Sequence, residues 1–272
     1  MLKDITLGQF FPGNTVIHRL DPRTKLVGVL VYIIALFMVQ SWIGYIIMGA
    51  FLLAIIRISR IQFGMIVKSV RPILFIVILT AALNIFYTTG EGDPLVHWGF
   101  LRIYKEGLMV AAFMVIRLIF LIVGTSMLTY TTSPIMLTDA IENLLGPLKK
   151  IHLPVHELAM MMTIALRFIP TLIEETDKIM SAQKARGADF ETGGLIRRAK
   201  ALIPILVPLF ISAFRRADEL AIAMECRCYQ GGEHRTRLKS LKMQGIDWMA
   251  AVVLIVVCAV SIGLNQLGIG VI

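Results

Sequence analysis

The sequence predicts an all-α membrane protein with about five transmembrane helices and a cytoplasmic or interfacial domain of long helices. Of its 272 residues, 57% are apolar and 17% are charged, and the mean hydropathy is +0.78. Soluble domains are usually about 45–50% apolar and about 25% charged. Several apolar runs approach or exceed the ~20 residues that cross a bilayer as a helix. Basic segments lie between some of these runs, as expected of loops on the cytoplasmic side.

The same figures exclude several other classes of protein. The chain is too apolar to be disordered, and three cysteines are too few for a disulfide scaffold. A formal net charge of +9 could indicate a nucleic-acid partner, but basic cytoplasmic loops explain it better, so no nucleic acid is expected. The segment Met1 to Lys25 has charges and no long apolar core, so we expect no cleavable signal peptide and a mature protein that begins near Met1.

The spans follow from the apolar runs in chain order. Leu26 to Ile56 is a stretch of 31 residues, too long for one helix, and polar and small residues near its middle predict a tight turn between two spans. The third span follows a basic run and ends at a loop of Gly, Asp and Pro residues, Thr89 to Pro94. The five predicted spans cover about 25–40, 42–58, 70–88, 106–130 and 246–268.

The orientation is predicted from the Lys and Arg residues in the loops. The N-terminal arm has four, the turn after the first span has none, and the segment after the second span has four. The loop after the third span has only Arg102 and Lys105, offset by three acidic residues. This alternation predicts a multi-pass protein of the cell (plasma) membrane with a cytoplasmic N-terminus. Five spans then leave about 131–244 on the cytoplasmic side.

Two shorter apolar runs, Leu158–Ile173 and Ala201–Phe214, lie in that cytoplasmic segment. A membrane hairpin made from them would place six Lys and Arg residues outside, against the charge rule. We therefore predict two long helices whose apolar middles pack on each other or lie in the membrane interface. The predicted helices cover about 134–146, 155–186 and 194–228. The predicted domains are 1–130 with four spans, 131–244 with the long helices, and 245–272 with the last span.

Catalytic and metal-binding motifs are missing from the sequence, so we expect a protein that is not an enzyme. It has no GxxxxGK[ST], no HExxH and no zinc box. His152 and His156 have helical spacing, but Pro154 lies between them, and a structural or surface role is favoured over metal binding. Arg117 lies inside the fourth span, where a charge is expensive, and pairing within the bundle or snorkelling is favoured over a place in an ion path.

The ends of the two long helices are the most informative feature. One is predicted to end at Ala185-Arg186-Gly187 and the other at Cys226-Arg227-Cys228. An Arg among small residues could enter a groove and offer its planar guanidinium to carboxylates. The alternative is ordinary capping, because cations and glycine are common at helix C-termini. Two such ends, 41 residues apart and on one side of the membrane, favour docking to a partner with two equivalent sockets.

At these residues the chain resembles the EcfT family, the transmembrane T components of energy-coupling factor (ECF) type ABC transporters. The resemblance covers nearly the whole chain. It rests on a combination of segments: His18-Arg19-Leu20-Asp21-Pro22-Arg23-Thr24-Lys25-Leu26, Arg167-Phe168-Ile169-Pro170 with Glu174, Ala182-Gln183-x-Ala185-Arg186-Gly187, and Ala223-Met224-Glu225-x-Arg227-x-Tyr229-x-Gly231-Gly232 with Arg235-Thr236.

The resemblance implies a role for the two helix ends. Each Arg would dock into a groove of one of two cytosolic ABC ATPase subunits, through Ala185, Arg186 and Gly187 and through Cys226, Arg227 and Cys228. Cys replaces the family's Ala and Gly in the second copy, which leans toward two different ATPases. The ATPases would bind ATP, so this chain would need no cofactor. The long coupling helices would pass the ATP-driven motion to a small membrane S component that binds vitamins or other micronutrients.

Two further groups of residues suit an adaptable surface for the S component, since Met is flexible and Pro interrupts a straight helix. They are Met160, Met161 and Met162 and, on the second long helix, Pro204 and Pro208. Simple packing between the helices is the alternative. Two other functions are alternatives to a coupling subunit: a stand-alone multi-span permease and a polytopic membrane enzyme. We find no set of catalytic residues for the enzyme.

Overall fold

The computed structural model describes residues 10–88, 96–98, 101–151, 154–190, 194–231 and 241–266. In these ranges the chain is helical apart from turns and one short hairpin. The helices are α1 (Val16–Arg19), α2 (Pro22–Met38), α3 (Trp42–Ser59), α4 (Phe63–Val70), α5 (Leu74–Tyr87), α6 (Lys105–Thr131), α7 (Pro134–Leu145), α8 (Val155–Ala185), α9 (Leu195–Glu225) and α10 (Gly245–Gln266), with the strands β1 (Val96–Trp98) and β2 (Leu101–Ile103).

The predicted class, an all-α membrane protein, is confirmed, and each predicted helix has a counterpart. Two boundaries differ. Helix α2 begins at Pro22 because Asp21 accepts the Arg23 backbone N–H at 2.9 Å and caps it. The helical segment of the third span begins at Phe63, because Lys68 lies within the short helix α4 and Arg71 in the 3₁₀ turn that joins it to α5.

Five helical segments of the described chain are long and apolar enough to cross a membrane. Four correspond to the predicted second to fifth spans. The fifth is α8, which the sequence assigned to the interfacial domain, and it qualifies because Arg167 is the one charge between Leu158 and Ile173. The predicted first span, α2, is 17 residues long and falls outside this group. At 1.5 Å per residue it is about 26 Å long, against a hydrocarbon core of about 30 Å.

The hairpin lies between the third and fourth predicted spans. Strands β1 and β2 pair antiparallel, with Val96 opposite Ile103 and Trp98 opposite Leu101. The predicted loop from Thr89 to Pro94 lies outside the described residues.

The described chain divides into two compact units, one with residues 10–140 and 241–266 and the other with residues 141–231. In the first, a helix bundle, α6 packs against α2, α3, α4 and α5, and α10 packs against α2 and α3. Leu36, Val39 and Met48 are fully buried at its centre. Large apolar side chains such as Ile34 and Phe75 are exposed on its outside, as suits a bundle surrounded by lipid.

A polar junction closes one end of the bundle. The buried Lys25 Nζ donates to the carbonyls of Thr131 at 2.9 Å and His18 at 3.2 Å, which lie in the last turns of α6 and α1. The carbonyls in the last turn of a helix have no partner within the helix. The backbone N–H of Asp21 donates to Asp247 Oδ1 at 2.7 Å, and Asp247 Oδ2 accepts the N–H of Gln244 at the start of α10. This junction joins the starts of α2 and α10 to the end of α6.

At the other end of α2, the side chain of Asn265 binds backbone groups that helix ends leave without partners. Asn265 Oδ1 accepts the backbone N–H groups of Gln40 and Ser41, each at 3.1 Å, and its Nδ2 donates to the Met38 carbonyl at 2.7 Å. The tight turn between α2 and α3 is thus held by the last turn of α10.

His18 anchors the N-terminal arm to this bundle in its neutral form. Its Nε2 lies 3.1 Å from the Phe11 carbonyl, which can only accept, so Nε2 carries the proton and Nδ1 accepts from the Thr15 hydroxyl at 2.7 Å. Burial lowers the pKa of His18, and the nearby Lys25 charge acts in the same direction, against the opposing effect of the Phe11 hydrogen bond. Protonation therefore destabilises the folded state.

We expect acidification below the ordinary histidine pKa of about 6.5 to destabilise the protein through His18. Because the folded-state pKa is the lower one, this contribution is fully present above about pH 6.5 and is lost as the pH falls through the folded-state pKa. The check compares apparent melting temperatures in detergent at about pH 7.5 and about pH 5.5, on either side of that value. The fall should be smaller in His18→Gln; equal falls in both proteins would contradict the assignment.

Candidate docking ends of the long helices

The end of α8 is a tight turn that places Arg186 at its tip. Gly187 has a left-handed backbone, with φ of 84°, and its N–H donates to the Lys184 carbonyl at 3.0 Å. The N–H of Ala188 reaches back to the Gln183 carbonyl at 3.0 Å. These two bonds form a Schellman motif, which satisfies the last carbonyls of a helix with main-chain donors.

The end of α9 forms the same turn without a glycine. Cys228 has a left-handed backbone, with φ of 54°, and its N–H donates to the Glu225 carbonyl at 2.8 Å. The N–H of Tyr229 donates to the Met224 carbonyl at 3.1 Å. Cys228 thus takes the place of Gly187, and Arg227 that of Arg186. The helix predicted to end at Cys226-Arg227-Cys228 thus has its last helical residue at Glu225, and those three residues form the closing turn.

Both arginines are available to a partner. Arg186 and Arg227 are exposed, and neither guanidinium has a hydrogen-bond partner among the described residues. Each lies at the negative end of a helix dipole, where a cation is favoured. Each offers five donors in a planar fork that matches a carboxylate, so the two ends can bind acidic groups of another protein.

Contacts between α8 and α9 define how these ends are arranged. Arg216 Nη2 donates to Glu175 Oε2 at 2.6 Å, and Gln183 Nε2 lies 3.5 Å from the Pro204 carbonyl. A later residue of α8 thus meets an earlier residue of α9, so the two helices run antiparallel where they pack. Arg186 and Arg227, each at a C-terminal end, therefore lie toward opposite ends of the helix pair.

The residues of this chain that are predicted to contact the S component also lie toward opposite ends of the helix pair. Met161, Met162 and Pro204 are exposed, whereas Met160 and Pro208 are half-buried. The methionines precede Glu175 on α8 and the prolines precede Arg216 on α9. Because the helices are antiparallel, the structure places the two groups toward opposite ends of the pair and does not bring them together.

The sequence did not identify the Glu175–Arg216 pair. Its partners are 41 residues apart, and no local pattern connects them. The one available signal is that the same spacing of 41 residues separates Arg186 from Arg227.

The remaining ionisable candidates have structural partners. Arg117 Nε donates to the Tyr45 hydroxyl at 2.7 Å, and Nη2 lies 3.3 Å from the Val39 carbonyl, which confirms pairing within the bundle. His156 Nδ1 lies 2.9 Å from Glu142 Oε1. His152 lies outside the described residues, and within the described ranges no three His, Cys, Asp or Glu side chains are grouped as a metal site would require.

The fold and sequence together define a class of membrane protein. Residues 13–238 match the family model described as CbiQ, cobalt transport protein. With five candidate membrane-crossing segments in its described part, the chain is a membrane component of a transport system.

Close relatives define the family. The energy-coupling factor transporter transmembrane protein EcfT of Clostridium kluyveri is 60% identical over 262 residues, which cover 96% of this chain and 97% of the relative. The proteins of that name from Ruminiclostridium cellulolyticum and Bacillus subtilis are 55% and 48% identical, and the matches cover 91% and 95% of this chain and 92% and 97% of the relatives. The chain belongs to the EcfT family.

We expect Cys228→Gly to stabilise the end of α9. A residue with a Cβ pays a cost of roughly 1–2 kcal/mol in the left-handed region, and glycine does not. Residue-resolved amide exchange should therefore slow by roughly fivefold at Cys228 and Tyr229, as about 1 kcal/mol implies. Cys226→Ala is the matched control, because Cys226 has a right-handed backbone with φ of −60°. Unchanged exchange in Cys228→Gly would argue against a strained turn.

Proposed function

We propose that this chain is the transmembrane coupling subunit of an ECF-type ABC importer. It passes the ATP-driven motion of two cytosolic ATPase subunits to a separate, substrate-binding S component that takes up vitamins or other micronutrients. The observation that carries the proposal is the equivalence of the two helix ends. Two main-chain turns with one hydrogen-bond pattern present Arg186 and Arg227 in the same position.

The chemistry of these ends suits reversible docking to a pair of related proteins. The last carbonyls of each helix are satisfied within the turn, so the guanidinium is not needed for capping. The small side chains of Ala185 and Gly187, and of Cys226 and Cys228, leave room for a groove wall to approach each Arg. Two equivalent ends suit a partner with two equivalent grooves, as a dimer of ATPases would have.

The apolar surface of α9 suits a partner within the membrane. Ile203, Val207, Phe210 and Phe214 follow one another at helical spacing and are exposed, Phe214 by 69%. Such a stripe needs lipid or an apolar protein to cover it. We assign it, with Pro204 and Pro208 on the same helix, to contact with the S component and the bilayer. The predicted residues Met160, Met161 and Met162 lie on α8, toward the other end of the pair, and would make a separate contact with the S component.

In this proposal the partner ATPases, and not this chain, bind and hydrolyse ATP. The sequence has no phosphate-binding loop, and the ATPase subunits would bind and hydrolyse ATP, so this chain acts without a cofactor. A stand-alone permease is less well supported. Arg117, the candidate for an ion path, is bound to Tyr45 and to the Val39 carbonyl.

The proposal predicts that reversing the charge at either helix end weakens ATPase binding. Arg186→Glu or Arg227→Glu turns an ion pair into a repulsion, and we expect recovery of ATPase subunits to fall by at least about tenfold, as ~1.4 kcal/mol implies. The measurement is affinity purification of the tagged chain from its native membrane in mild detergent, with the co-purifying chains quantified. Arg198→Glu is the matched control, because it makes the same charge change on an exposed residue near the start of α9.

The wild-type chain should bring down two ATPase chains, or two copies of one, and small hydrophobic membrane proteins. Arg186→Lys keeps the charge but not the planar fork, so it should give an intermediate loss. Recovery of ATPases by the double Glu variant at the wild-type level would exclude docking through these arginines. A chain that purifies alone and transports a solute alone in liposomes would favour the permease.

The predicted orientation has a separate test. Gly194 is exposed between the long helices, and a cytoplasmic position means that Gly194→Cys should react with a membrane-impermeant maleimide only after the cells are permeabilised. The three native cysteines are first replaced. Gln40→Cys, in the turn after the first predicted span, should react in intact cells and serves as the control. Labelling of Gly194→Cys in intact cells would support a membrane hairpin of α8 and α9 instead.

A further inference from the structure

An ion pair between Glu175 and Arg216 joins the two long helices where they pack. Glu175 on α8 accepts a hydrogen bond from Arg216 Nη2 at 2.6 Å and a second from the side chain of Ser212, one turn earlier on α9. Both helices are 31 residues long. The carboxylate is therefore held by two donors from one face of the opposite helix.

The pair is equidistant from the two docking ends. Eleven residues lead from Glu175 to Arg186, and eleven lead from Arg216 to Arg227. At 1.5 Å per residue each stretch is about 16 Å long. Neither stretch contains Pro or Gly before its Arg, so each arm is continuous helix up to the turn that carries its Arg.

The prolines that interrupt α8 and α9 lie on the N-terminal side of Glu175 and Arg216, away from the docking ends. Pro170 precedes Glu175 by five residues, and Pro208 precedes Arg216 by eight. Each proline removes one backbone hydrogen bond and favours bending at that point. Bending is thus favoured in the apolar halves of the helices, and the arms that carry Arg186 and Arg227 are left straight.

We propose that Glu175 and Arg216 form the fulcrum of the coupling helices, a positioning pair that fixes the crossing of the two arms so that both arginine tips move as one body. The inference rests on the proposed function and deepens it. A force applied at one tip reaches the other only if the helices cannot slide or rotate at their crossing. A directional ion pair with two donors restricts both movements, whereas apolar side chains can slip by one another.

The exposure of the pair makes this role testable apart from folding. The side chains of Arg216 and Glu175 are 34% and 28% exposed. Ion pairs this accessible contribute little to folding stability. Single substitutions should therefore leave a folded protein in which the crossing is released.

The experiment measures the distance between the two arms. Spin labels are attached through a genetically encoded amino acid with a ketone side chain at Ala182 and Ala223, two exposed positions seven residues beyond Glu175 and Arg216. The native cysteines, including Cys226 and Cys228 of the docking end, therefore stay in place. Pulsed electron paramagnetic resonance then gives the distribution of distances between the two spin labels in the purified transporter complex. It is measured before and after the complex is trapped with ATP and vanadate.

The intact pair should give one narrow distance peak that moves as a single peak on trapping. Glu175→Gln and Arg216→Gln should each lose that single peak while ATPase subunits still co-purify. The exchanged pair, Glu175→Arg with Arg216→Glu, should restore it. Glu174→Gln and Arg215→Gln are the matched controls, because they neutralise the exposed neighbours and should leave the peak unchanged.

A single peak in both neutralised variants would overturn the fulcrum, and so would failure of the exchanged pair to restore the peak. These outcomes are separable from failure of the proposed function. If ATPases do not co-purify with any version of the chain, the proposed function fails, and the distance distribution of the isolated chain still tests whether the ion pair fixes the crossing.

Discussion

The need to satisfy the polar groups at helix ends shapes both units of this protein. Little water reaches an apolar bundle, so carbonyl and N–H groups left over at a helix end need partners from the protein. In the bundle these partners come from distant side chains. Lys25 serves the end of α6, Asp247 serves the start of α2, and Asn265 serves the turn between α2 and α3.

The long helices solve the same problem with their main chain. Their last carbonyls are satisfied by the turns at Gly187 and Cys228, so no side chain is consumed. Arg186 and Arg227 consequently remain available at the two tips, in contrast to Arg117, whose guanidinium is bound inside the bundle. Whether an arginine holds the fold together or is free for a partner is decided by how the neighbouring backbone is satisfied.

The sequence predicted most of the fold because hydrophobic length and helix-stop residues are local signals. Boundaries were missed where polar residues belong to a helix. Lys68 and Arg71 resembled a loop but lie in the helical segment that leads into α5, and Pro22 was overlooked as a first helical residue after its cap Asp21. The left-handed backbone of Cys228 was not predicted, since a residue in that conformation is expected to be glycine. The Glu175–Arg216 pair needed the structure, because it depends on the packing of two helices.

The two tips are equivalent in their backbone but not in their side chains, and under the proposed function this difference bears on which ATPases they would fit. A groove fitted closely around Gly187 would clash with the side chain of Cys228 in the corresponding position. Two copies of one ATPase would therefore need a groove wide enough for a thiol and would leave a gap at α8. Two different ATPases could each fit one tip closely. Since close packing around a buried charge raises its contribution to binding, the cysteines favour a pair of unlike subunits.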